Sequence, residues 1–468
     1  MSRILISGTN SGCGKTTVTC AVLAALKARG LEPSALKCGP DYIDPMFHRA
    51  VTGVPAYNID PFFLDGDGLR RRLSGKKLAV LEGAMGYYDG IATRSDASAY
   101  TVASETDTPV VLVISAKGAG HSLAAVLEGF ARHRANSGIA GVIFNDATQM
   151  RYADLKKIAK SAGLSAYGYL PRNESWAFSS RHLGLMTADE IGDLQEKLSA
   201  LGKQAEQSID LDGLLALAES APVLPESLSV AARGERVRLA VARDEAFCSI
   251  YEENLDLLRS LGCETVFLSP LKDAALPENI HGIYLPGGYP ELYAEALSAN
   301  KSMRESICAA VKSGCPTIAE CGGFLYLHER LDGQDMVGAV SGDAFKTPRL
   351  QRFGYVTITA NRDNLLCRAG ESIRSHEFHY WNSDNLGADF IAKKAGRDTS
   401  WQCVHATDTL YAGFPHIYFP ANPSFAERFV EALAAAFSTK GAAWRCAACG
   451  NRYVNQYSRA AFGTCAVL

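Results

Sequence analysis

Long apolar runs are missing from this 468-residue sequence: no stretch approaches the roughly 18 consecutive apolar residues that a membrane-spanning helix needs. We therefore expect no membrane partner. An excess of charge is missing as well, since 47 lysines and arginines face 50 aspartates and glutamates, for a net charge of −3. This balance gives no electrostatic reason to expect nucleic acid as a partner, because nucleic-acid-binding proteins present a basic surface.

A secretory leader and a disulfide framework are also missing. The chain runs from Met1 directly into a strand-like segment, and its 13 cysteines have no framework spacing, so we expect a cytoplasmic protein with reduced thiols. Cys446 and Cys449 have the spacing of metal ligands, but no second cysteine pair or histidine lies near them, and only Cys465 follows. We therefore expect free thiols in this tail rather than a metal site.

The sequence does contain a repeated alternation of apolar strands and amphipathic helices. The composition is 47% hydrophobic and 21% charged, which is typical of a globular protein. The predicted strands lie at 3–7, 78–81, 109–114 and 141–144, and then at 237–242, 265–268, 282–285 and 317–320. This pattern predicts an α/β fold with two parallel-sheet domains. The predicted divisions are a first domain at 1–198, a linker at 199–235, a second domain at 236–440 and a tail at 441–468.

A glycine-rich loop joins the first predicted strand to a helix that begins at Lys15. Residues 8–17 read Gly-Thr-Asn-Ser-Gly-Cys-Gly-Lys-Thr-Thr, in the strand–loop–helix context that a phosphate-binding loop requires. Backbone N–H groups and Lys15 would bind phosphates, and the Thr16 hydroxyl would bind Mg²⁺. Five residues rather than four separate the first and last glycines of the loop, so a glycine-rich turn is the alternative. The residues predicted to bind ATP here are Gly8, Thr9, Asn10, Gly12, Gly14, Lys15, Thr16 and Thr17.

Two acidic segments are predicted to complete the metal site. The first, 37–45, holds Asp44, and the second begins at Glu82, directly after an apolar strand. Acids at the carboxyl ends of strands lie at the edge where α/β sheets bind ligands. Because carboxylate oxygens suit Mg²⁺, we predict Thr16, Asp44 and Glu82 as its ligands. The alternative for each acid is an ordinary turn or helix-cap residue.

The second half carries a cysteine in the setting of a nucleophile. Cys321 follows a predicted strand and precedes two glycines and a helix, and such a tight turn exposes the side chain at a helix N-terminus, where a thiolate is favoured. A thiol nucleophile needs a histidine, for which His416 is the first candidate and His376 and His379 are rivals. Backbone N–H groups would stabilise the oxyanion, and the candidates lie at Gly287, Gly288 and Gly322. The alternative for Cys321 is a buried structural thiol.

Together these motifs resemble one family, the cobyrinate a,c-diamide synthases, which are glutamine-dependent amidating enzymes of corrin biosynthesis. The similarity runs in order over about residues 3–437. Taken separately, the loop is similar to that of dethiobiotin synthetase-like ATPases, and the Cys321 turn is similar to that of class I glutamine amidotransferases. Further segments that look like the blocks of the family are 37–48, 82–90, 168–172, 181–185 and 375–380.

The resemblance implies a P-loop parallel-sheet domain followed by a flavodoxin-like glutaminase domain. In the second domain, Cys321 with His416 would hydrolyse glutamine through a thioester. In the first, ATP with Mg²⁺ would phosphorylate a tetrapyrrole carboxylate, and ammonia would displace the phosphate, at the a and c acetates in turn. Carried over by position, Lys37, Asp41 and Asp89 would serve substrate activation, and Asn145 would meet the adenine.

The sequence departs from the family near the predicted histidine. Many members carry His-Leu-His there, whereas this chain reads His416-Ile417-Tyr418, and the glutamate that follows the histidine in class I amidotransferases is absent, which favours a Cys–His dyad. The motifs do not decide which tetrapyrrole is the substrate. Sirohydrochlorin, its nickel chelate and sirohaem are alternatives to cobyrinic or hydrogenobyrinic acid. An alternative from another class is a P-loop ATPase switch with an inactive glutaminase domain. The expected partners are glutamine and a tetrapyrrole polycarboxylate, and a homodimer is left open as the assembly.

Overall fold

The computed structural model describes residues 1–176, 180–181, 184–185, 188, 191–224 and 237–439. The chain forms two compact units. Among the described residues, the first unit holds those up to 224 together with Tyr251–Glu253, and the second holds the others from 237 onward. Outside the described residues lie His182, Leu183, residues 225–235 of the predicted linker, and Cys446, Cys449 and Cys465 of the predicted tail.

The first unit is built on a seven-stranded parallel sheet. Its strands are β1 (Ser2–Gly8), β2 (Ser34–Cys38), β3 (Tyr57–Ile59), β4 (Leu78–Glu82), β5 (Val110–Ser115), β6 (Ile139–Asn145) and β7 (Ser165–Leu170). They lie in the order β3-β2-β4-β1-β5-β6-β7, and β8 (Ser180–Arg181) with β9 (Gly184–Leu185) forms a separate two-stranded sheet. The four strands predicted in this half are confirmed, because each is a continuous apolar run of the kind that a sheet buried on both faces requires.

Eight helices of this unit lie in the described part of the chain. They are α1 (Lys15–Ala28), α2 (Ile43–Thr52), α3 (Gly66–Leu73), α4 (Ala99–Thr106), α5 (Ser122–Arg132), α6 (Gln149–Ser161), α7 (Leu194–Ser208) and α8 (Leu211–Glu219). The side chains of Asp65 and Ser98 cap α3 and α4 by accepting hydrogen bonds from first-turn N–H groups. Such caps satisfy donors that the start of a helix leaves without an intrahelical partner.

The predicted linker begins too early, because residues 194–219 form two helices of the first unit. Leu198 and Leu201 on α7 are buried in the same apolar core as α1. The buried positions of α7 recur every three or four residues, which is the apolar stripe of a packed helix, and the polar residues between them obscure it in the sequence. Gly202 lies so close to α1 that an added Cβ would be 3.0 Å from the Cβ of Ala24.

From residue 237 onward the chain forms fifteen described strands and five described helices. The strands are β10 (Val237–Ala242), β11 (Cys263–Leu268), β12 (Gly282–Leu285), β13 (Thr317–Glu320), β14 (Arg330–Leu331), β15 (Gln334–Asp335), β16 (Asp343–Lys346), β17 (Arg352–Ala360), β18 (Ser372–His379), β19 (Trp381–Ser383), β20 (Phe390–Lys394), β21 (Ser400–Cys403), β22 (His405–Ala406), β23 (Leu410–Gly413) and β24 (His416–Ile417). The helices are α9 (Glu252–Ser260), α10 (Ala294–Ala299), α11 (Lys301–Lys312), α12 (Gly322–Leu327) and α13 (Pro423–Thr439).

The main sheet of the second unit has the order β11-β10-β12-β13-β23-β22, and only the β22–β23 pairing at its edge is antiparallel. Its five parallel strands follow the order 2-1-3-4-5 of a flavodoxin-like fold, which confirms the expected architecture. Two further sheets, β15-β14-β16-β19 and the antiparallel β21-β20-β17-β18-β24, lie in the chain between α12 and α13. They were not predicted, although the nine-residue β17 alternates the buried Val356, Ile358 and Ala360 with less buried residues, which is the period of a strand.

No helix in the part of the chain that the structure describes combines the length and the apolar character needed to cross a bilayer.

Candidate active sites

The predicted phosphate loop connects β1 to α1 as the sequence indicates. Gly12 and Gly14 have φ angles of +78° and +99°, in the left-handed region that favours glycine. An added Cβ at Gly8 would clash with Cys13 Sγ, and one at Gly14 would clash with the side-chain amide of Asn145. The loop therefore needs its glycines both for backbone conformation and for close packing.

Lys15 and Asn145 are both held against this loop. The Lys15 side chain is buried, and its Nζ donates to the carbonyl of Asn10 at 3.0 Å. Asn145 ends β6, and its Nδ2 donates to the carbonyl of Cys13 at 3.1 Å. Asn145 thus contacts the loop backbone, and its contact with an adenine stays a prediction.

The three predicted metal ligands converge at the start of α1. Thr16 Oγ1 lies 2.8 Å from Glu82 Oε1 and 3.3 Å from Asp44 Oδ1. The described part of the chain holds no group of three or more His, Cys, Asp or Glu side chains able to bind a metal ion. This site offers the carboxyl groups of Asp44 and Glu82 and the hydroxyl of Thr16. Hard oxygen donors in this number fit Mg²⁺, which keeps other positions for phosphate and water.

Lys37 lies inside this cluster rather than apart from it. The parallel register places Lys37 of β2 beside Glu82 of β4, and its Nζ donates to Glu82 Oε1 at 2.9 Å and forms an ion pair with Asp44. His48 on α2, which was not predicted as a site residue, has its Nε2 2.6 Å from Glu82 Oε2. Its position four residues after Asp44, on the same face of a helix, is the signal that points to it.

These neighbours set the charge of Glu82, whereas burial raises the pKa of Asp44 well above its usual value. Burial alone would raise the pKa of Glu82, but Lys37 and the hydrogen bond from His48 hold that pKa well below its usual range. Burial would likewise lower the pKa of Lys37, but Asp44 and Glu82 raise it well above its usual value. Glu82 is therefore an anion and Lys37 a cation, and the pair offsets the cost of burying each charge.

The other two predicted activation residues make local contacts. Asp41 Oδ1 accepts hydrogen bonds from the backbone N–H groups of Ile43 and Asp44, at 2.8 and 3.2 Å, where α2 begins. Asp89 is exposed, and its Oδ2 accepts from the N–H of Gly86 at 2.8 Å. These are the contacts of a cap and a turn residue, so a role of either residue in substrate activation stays a prediction.

In the second unit, Cys321 stands at the junction of β13 and α12. Its φ is +46°, an uncommon conformation for a non-glycine residue and one that occurs at functional sites. Its backbone N–H donates to the carbonyl of Gly413 at 2.8 Å, which ties the turn to β23. The strand, the strained turn and the following helix are the arrangement that a nucleophile elbow requires.

The three predicted oxyanion glycines meet around this turn. An added Cβ at Gly322 would be 2.8 Å from the backbone N of Gly288, and one at Gly287 would clash with Cε1 of His416. Gly288 has a φ of +154° and approaches the backbone of Ala246. The glycines thus allow two backbone segments and the imidazole to approach one another closely, although oxyanion binding by them stays a prediction.

His416 is held by a network that the sequence did not indicate. It lies on β24 opposite His376 of β18, and the two rings stack with centroids 4.8 Å apart. Glu320, directly before Cys321, has its Oε2 3.9 Å from His416 Nδ1. Its Oε1 accepts from the N–H of Ile417 at 2.9 Å, and its Oε2 accepts from the Tyr284 hydroxyl at 3.1 Å. A carboxyl group therefore lies near the histidine, although the sequence favours a Cys–His dyad.

Burial dominates the protonation of these groups. It raises the pKa of the Cys321 thiol and lowers the pKa of His416 well below its usual value. Burial also raises the pKa of Glu320 to about 8. Both shifts favour the neutral thiol and the neutral imidazole, so the thiolate that the sequence context favoured is not the favoured state in this structure.

The rival histidines differ from His416 in their contacts. Burial lowers the pKa of His376 to about 3, and its ring lies against that of His416. His379 stacks on Phe414, and its Nδ1 lies 2.6 Å from the carbonyl of Trp381. Only His416 combines the contact with Gly287 and the nearby carboxylate of Glu320, so it stays the preferred candidate.

Two family models match the chain, one in each half. Residues 4–184 match the CobQ/CobB/MinD/ParA nucleotide binding domain, and residues 238–423 match the CobB/CobQ-like glutamine amidotransferase domain. A nucleotide-binding sheet and an amidotransferase elbow in one polypeptide define the class, and the chain is a glutamine-dependent amide ligase.

The curated relatives make the identification narrower. The chain is 37% identical over 440 residues to the cobyrinate a,c-diamide synthase of Clostridium acetobutylicum, covering 92% of this chain and 100% of the relative. It is 38% identical to the enzyme of the same name from Listeria innocua, covering 91% and 98%, and 37% identical to that of Thermoplasma volcanium, covering 92% and 96%. The chain belongs to the cobyrinate a,c-diamide synthase family.

Proposed function

We propose that this chain uses ATP, Mg²⁺ and glutamine to amidate the a and c acetate carboxylates of cobyrinic acid, or of its cobalt-free hydrogeno form, in cobalamin biosynthesis. The name of the relatives supports the substrate. The observation that carries the ligase chemistry is the convergence of Thr16, Asp44 and Glu82 beside the phosphate loop. Such a site serves phosphoryl transfer to a carboxylate, which is a poor electrophile until its oxygen becomes a good leaving group.

In the nitrogen-releasing half of the reaction, Cys321 Sγ attacks the side-chain amide carbon of glutamine. His416 accepts the thiol proton and returns it to the departing ammonia, and backbone N–H groups at Gly288 and Gly322 bind the oxyanion. Water then cleaves the thioester to give glutamate and the free thiol. Because Cys321 and His416 both start neutral, the proton moves between them only as the new bond forms.

In the ligase half, an oxygen of the substrate carboxylate attacks the γ-phosphorus of ATP, and ADP leaves. Lys15 neutralises the phosphates, while Thr16, Asp44 and Glu82 would hold Mg²⁺, which supplies positive charge to the phosphoryl group. Ammonia then attacks the acyl carbon, inorganic phosphate leaves, and the nitrogen loses its extra proton. Lys37 keeps the buried Glu82 ionised throughout, which is the state that a metal ligand needs.

The test is mass spectrometry of the products that the full-length chain makes from a panel of tetrapyrrole acids with ATP, Mg²⁺ and glutamine. Each amide replaces OH by NH₂, so the mass step counts the amidated sites. We expect two steps with cobyrinic or hydrogenobyrinic acid. Two steps with sirohydrochlorin, its nickel chelate or sirohaem alone would move the assignment to that ring.

The same assay decides between a ligase and a switch. A P-loop ATPase switch with an inactive glutaminase domain would give no product with any acid and would release no glutamate. The ligase proposal requires both amide product and glutamate, formed together.

A further inference from the structure

One face of β18 carries polar atoms that have no hydrogen-bond partner in the part of the chain that the structure describes. Ser375, Glu377 and His379 alternate along the strand and so share a face, and all three are buried. Among the described residues, Ser375 Oγ, Glu377 Oε2 and His379 Nε2 have no hydrogen-bond partner. Because a buried polar atom without a partner costs free energy, three on one strand indicate that something else binds there.

The hydrogen bonds of His379 fix what its free nitrogen offers. Its Nδ1 lies 2.6 Å from the carbonyl oxygen of Trp381, and a carbonyl oxygen only accepts, so Nδ1 carries a proton. In the neutral imidazole, Nε2 is then an acceptor. It faces Glu377 Oε2 across 3.8 Å, which is longer than a hydrogen bond. With a neutral imidazole, two buried acceptors, one of them a carboxylate oxygen, face each other with no donor between them.

A primary ammonium group matches this pair. It carries several N–H donors on one atom, and that atom can lie at about 2.9 Å from both acceptors across a gap of this width. It also brings a second positive charge to the Glu377 carboxylate (1% exposed), which already interacts electrostatically with Lys394. Water would supply hydrogen-bond donors but no positive charge. An anion or an apolar group would supply neither donors nor positive charge.

The pair is connected to the proposed nucleophile through the end of β23. The backbone N–H of Cys321 donates to the carbonyl of Gly413, and Phe414 is the next residue in the chain. His379 stacks on Phe414, whose ring packs against Phe324 on α12, the helix that follows the Cys321 turn. The substrate that the proposed reaction brings to this turn is glutamine, which carries a primary ammonium on its α-carbon.

We propose that Glu377 and His379 form a subsite that binds the α-ammonium group of glutamine. This inference rests on the proposed function, in which the second unit hydrolyses glutamine. The subsite makes the enzyme select a free α-amino acid amide over other primary amides. Ammonia released at Cys321 carries the same chemistry once protonated, and the experiment separates the two sources.

The subsite also connects substrate binding to the nucleophile. After burial and Glu291, the charge of Glu377 is among the causes that raise the pKa of Cys321. An ammonium bound to Glu377 offsets that negative charge, so the bound substrate favours the thiolate that attacks it.

The experiment compares glutamine with 4-carbamoylbutanoate, which has the same carboxylate and side-chain amide but no α-amino group. Glutamate or glutarate release is measured for the full-length chain and for Glu377→Gln. We expect kcat/KM for glutamine to fall about tenfold or more, mainly through KM, and kcat/KM for the analogue to stay within about twofold. His379→Phe, which keeps an aromatic ring against Phe414 and removes Nε2, is expected to shift the two substrates in the same way.

The control is Glu427→Gln, the same substitution at an exposed position of α13, which is expected to match the wild type on both substrates. Equal losses on glutamine and on the analogue in Glu377→Gln would assign it a structural role and overturn the proposal. Unchanged glutaminase kinetics with a higher KM for ammonium chloride in amidation would assign the site to released ammonia and overturn it as well. If the wild type hydrolyses neither glutamine nor the analogue, the proposed function is contradicted. The subsite is then still tested by the equilibrium binding of glutamine and of the analogue to Cys321→Ser, with and without Glu377→Gln.

Discussion

At the scale of single residues, the two sites hold buried glutamates in opposite protonation states. Glu82 is kept ionised by Lys37 and His48, which is the state that its proposed role as a metal ligand requires. Glu320 lacks such a cation, and burial raises its pKa to about 8. The same residue type thus becomes an anion in one unit and a neutral acid in the other because of the groups around it.

The first residue-scale prediction concerns the hydroxyl of Thr16. Thr16→Val removes the oxygen that lies between Asp44 and Glu82 and keeps the shape of the side chain. We expect amide formation to fall about 100-fold or more, which corresponds to about 3 kcal/mol of transition-state stabilisation. Thr16→Ser, which keeps the hydroxyl, is the matched control and should retain most of the rate. Equal rates for the two variants, measured with saturating ammonia, would rule out a metal-binding role for the hydroxyl.

The second concerns the pH dependence of stability through Glu320. Its folded pKa of about 8 lies above the ordinary value of about 4.3, so the folded state binds the proton more tightly. The stability from this group is complete below about pH 4 and is lost as pH rises toward 8, by at most about 1.4 kcal/mol per pH unit. The glutamine in Glu320→Gln stays neutral at every pH. The free energy of unfolding of this variant, relative to that of the wild type, should therefore increase as pH rises. The free energies of unfolding are measured by denaturant titration at several pH values. The same pH dependence for the wild type and the variant would contradict a raised pKa of Glu320.

At the residue scale, sequence reasoning reaches residues inside motifs and misses those that act through space. The loop lysine and threonine, Cys321 and His416 stand in recognisable contexts. His48 and Glu320 lie in or beside such motifs, but their roles depend on partners that are distant in the sequence. The partner of His48 is Glu82, 34 residues away, and the partner of Glu320 is His416, 96 residues away. Lys37 was predicted for substrate activation, yet the strand register places it against Glu82.

At the scale of elements, the carboxyl ends of strands position most of the chemistry. β1 leads into the phosphate loop, Lys37 is the next-to-last residue of β2, β4 ends at Glu82, and Cys321 follows directly after β13. These strands were predictable because they are short apolar runs bounded by glycine or polar residues. The pairing of β18 with β24, which brings His376 against His416, was not predictable. Nothing in the local sequence of the two-residue strand β24 specifies the strand with which it pairs.

The element-scale prediction tests whether α7 is a core helix of the first unit. Leu201 on α7 is fully buried in the core shared with α1. Leu201→Ala should lower the free energy of unfolding by about 2 to 5 kcal/mol. Lys203→Ala, at an exposed position of the same helix, should change it by no more than about 0.5 kcal/mol. Indistinguishable denaturant midpoints for the two variants would show that this segment is a linker, as the sequence suggested.

At the scale of the whole molecule, the proposed function assigns separate chemistry to each of two sites in one polypeptide. The family models divide the chain in the same way, with a nucleotide-binding domain followed by an amidotransferase domain. In the proposed reaction, ammonia is the intermediate common to both half-reactions, so external ammonia should replace the second site and leave the first site sufficient for amidation.

The most direct measurement of this central claim uses Cys321→Ser with cobyrinic acid, ATP and Mg²⁺, and follows the product by mass spectrometry. With ammonium chloride as the nitrogen source we expect the diamide at a rate close to that of the wild type, and with glutamine we expect no amide. Diamide formed from glutamine by the variant, or no diamide from ammonium chloride by variant and wild type alike, would contradict the account.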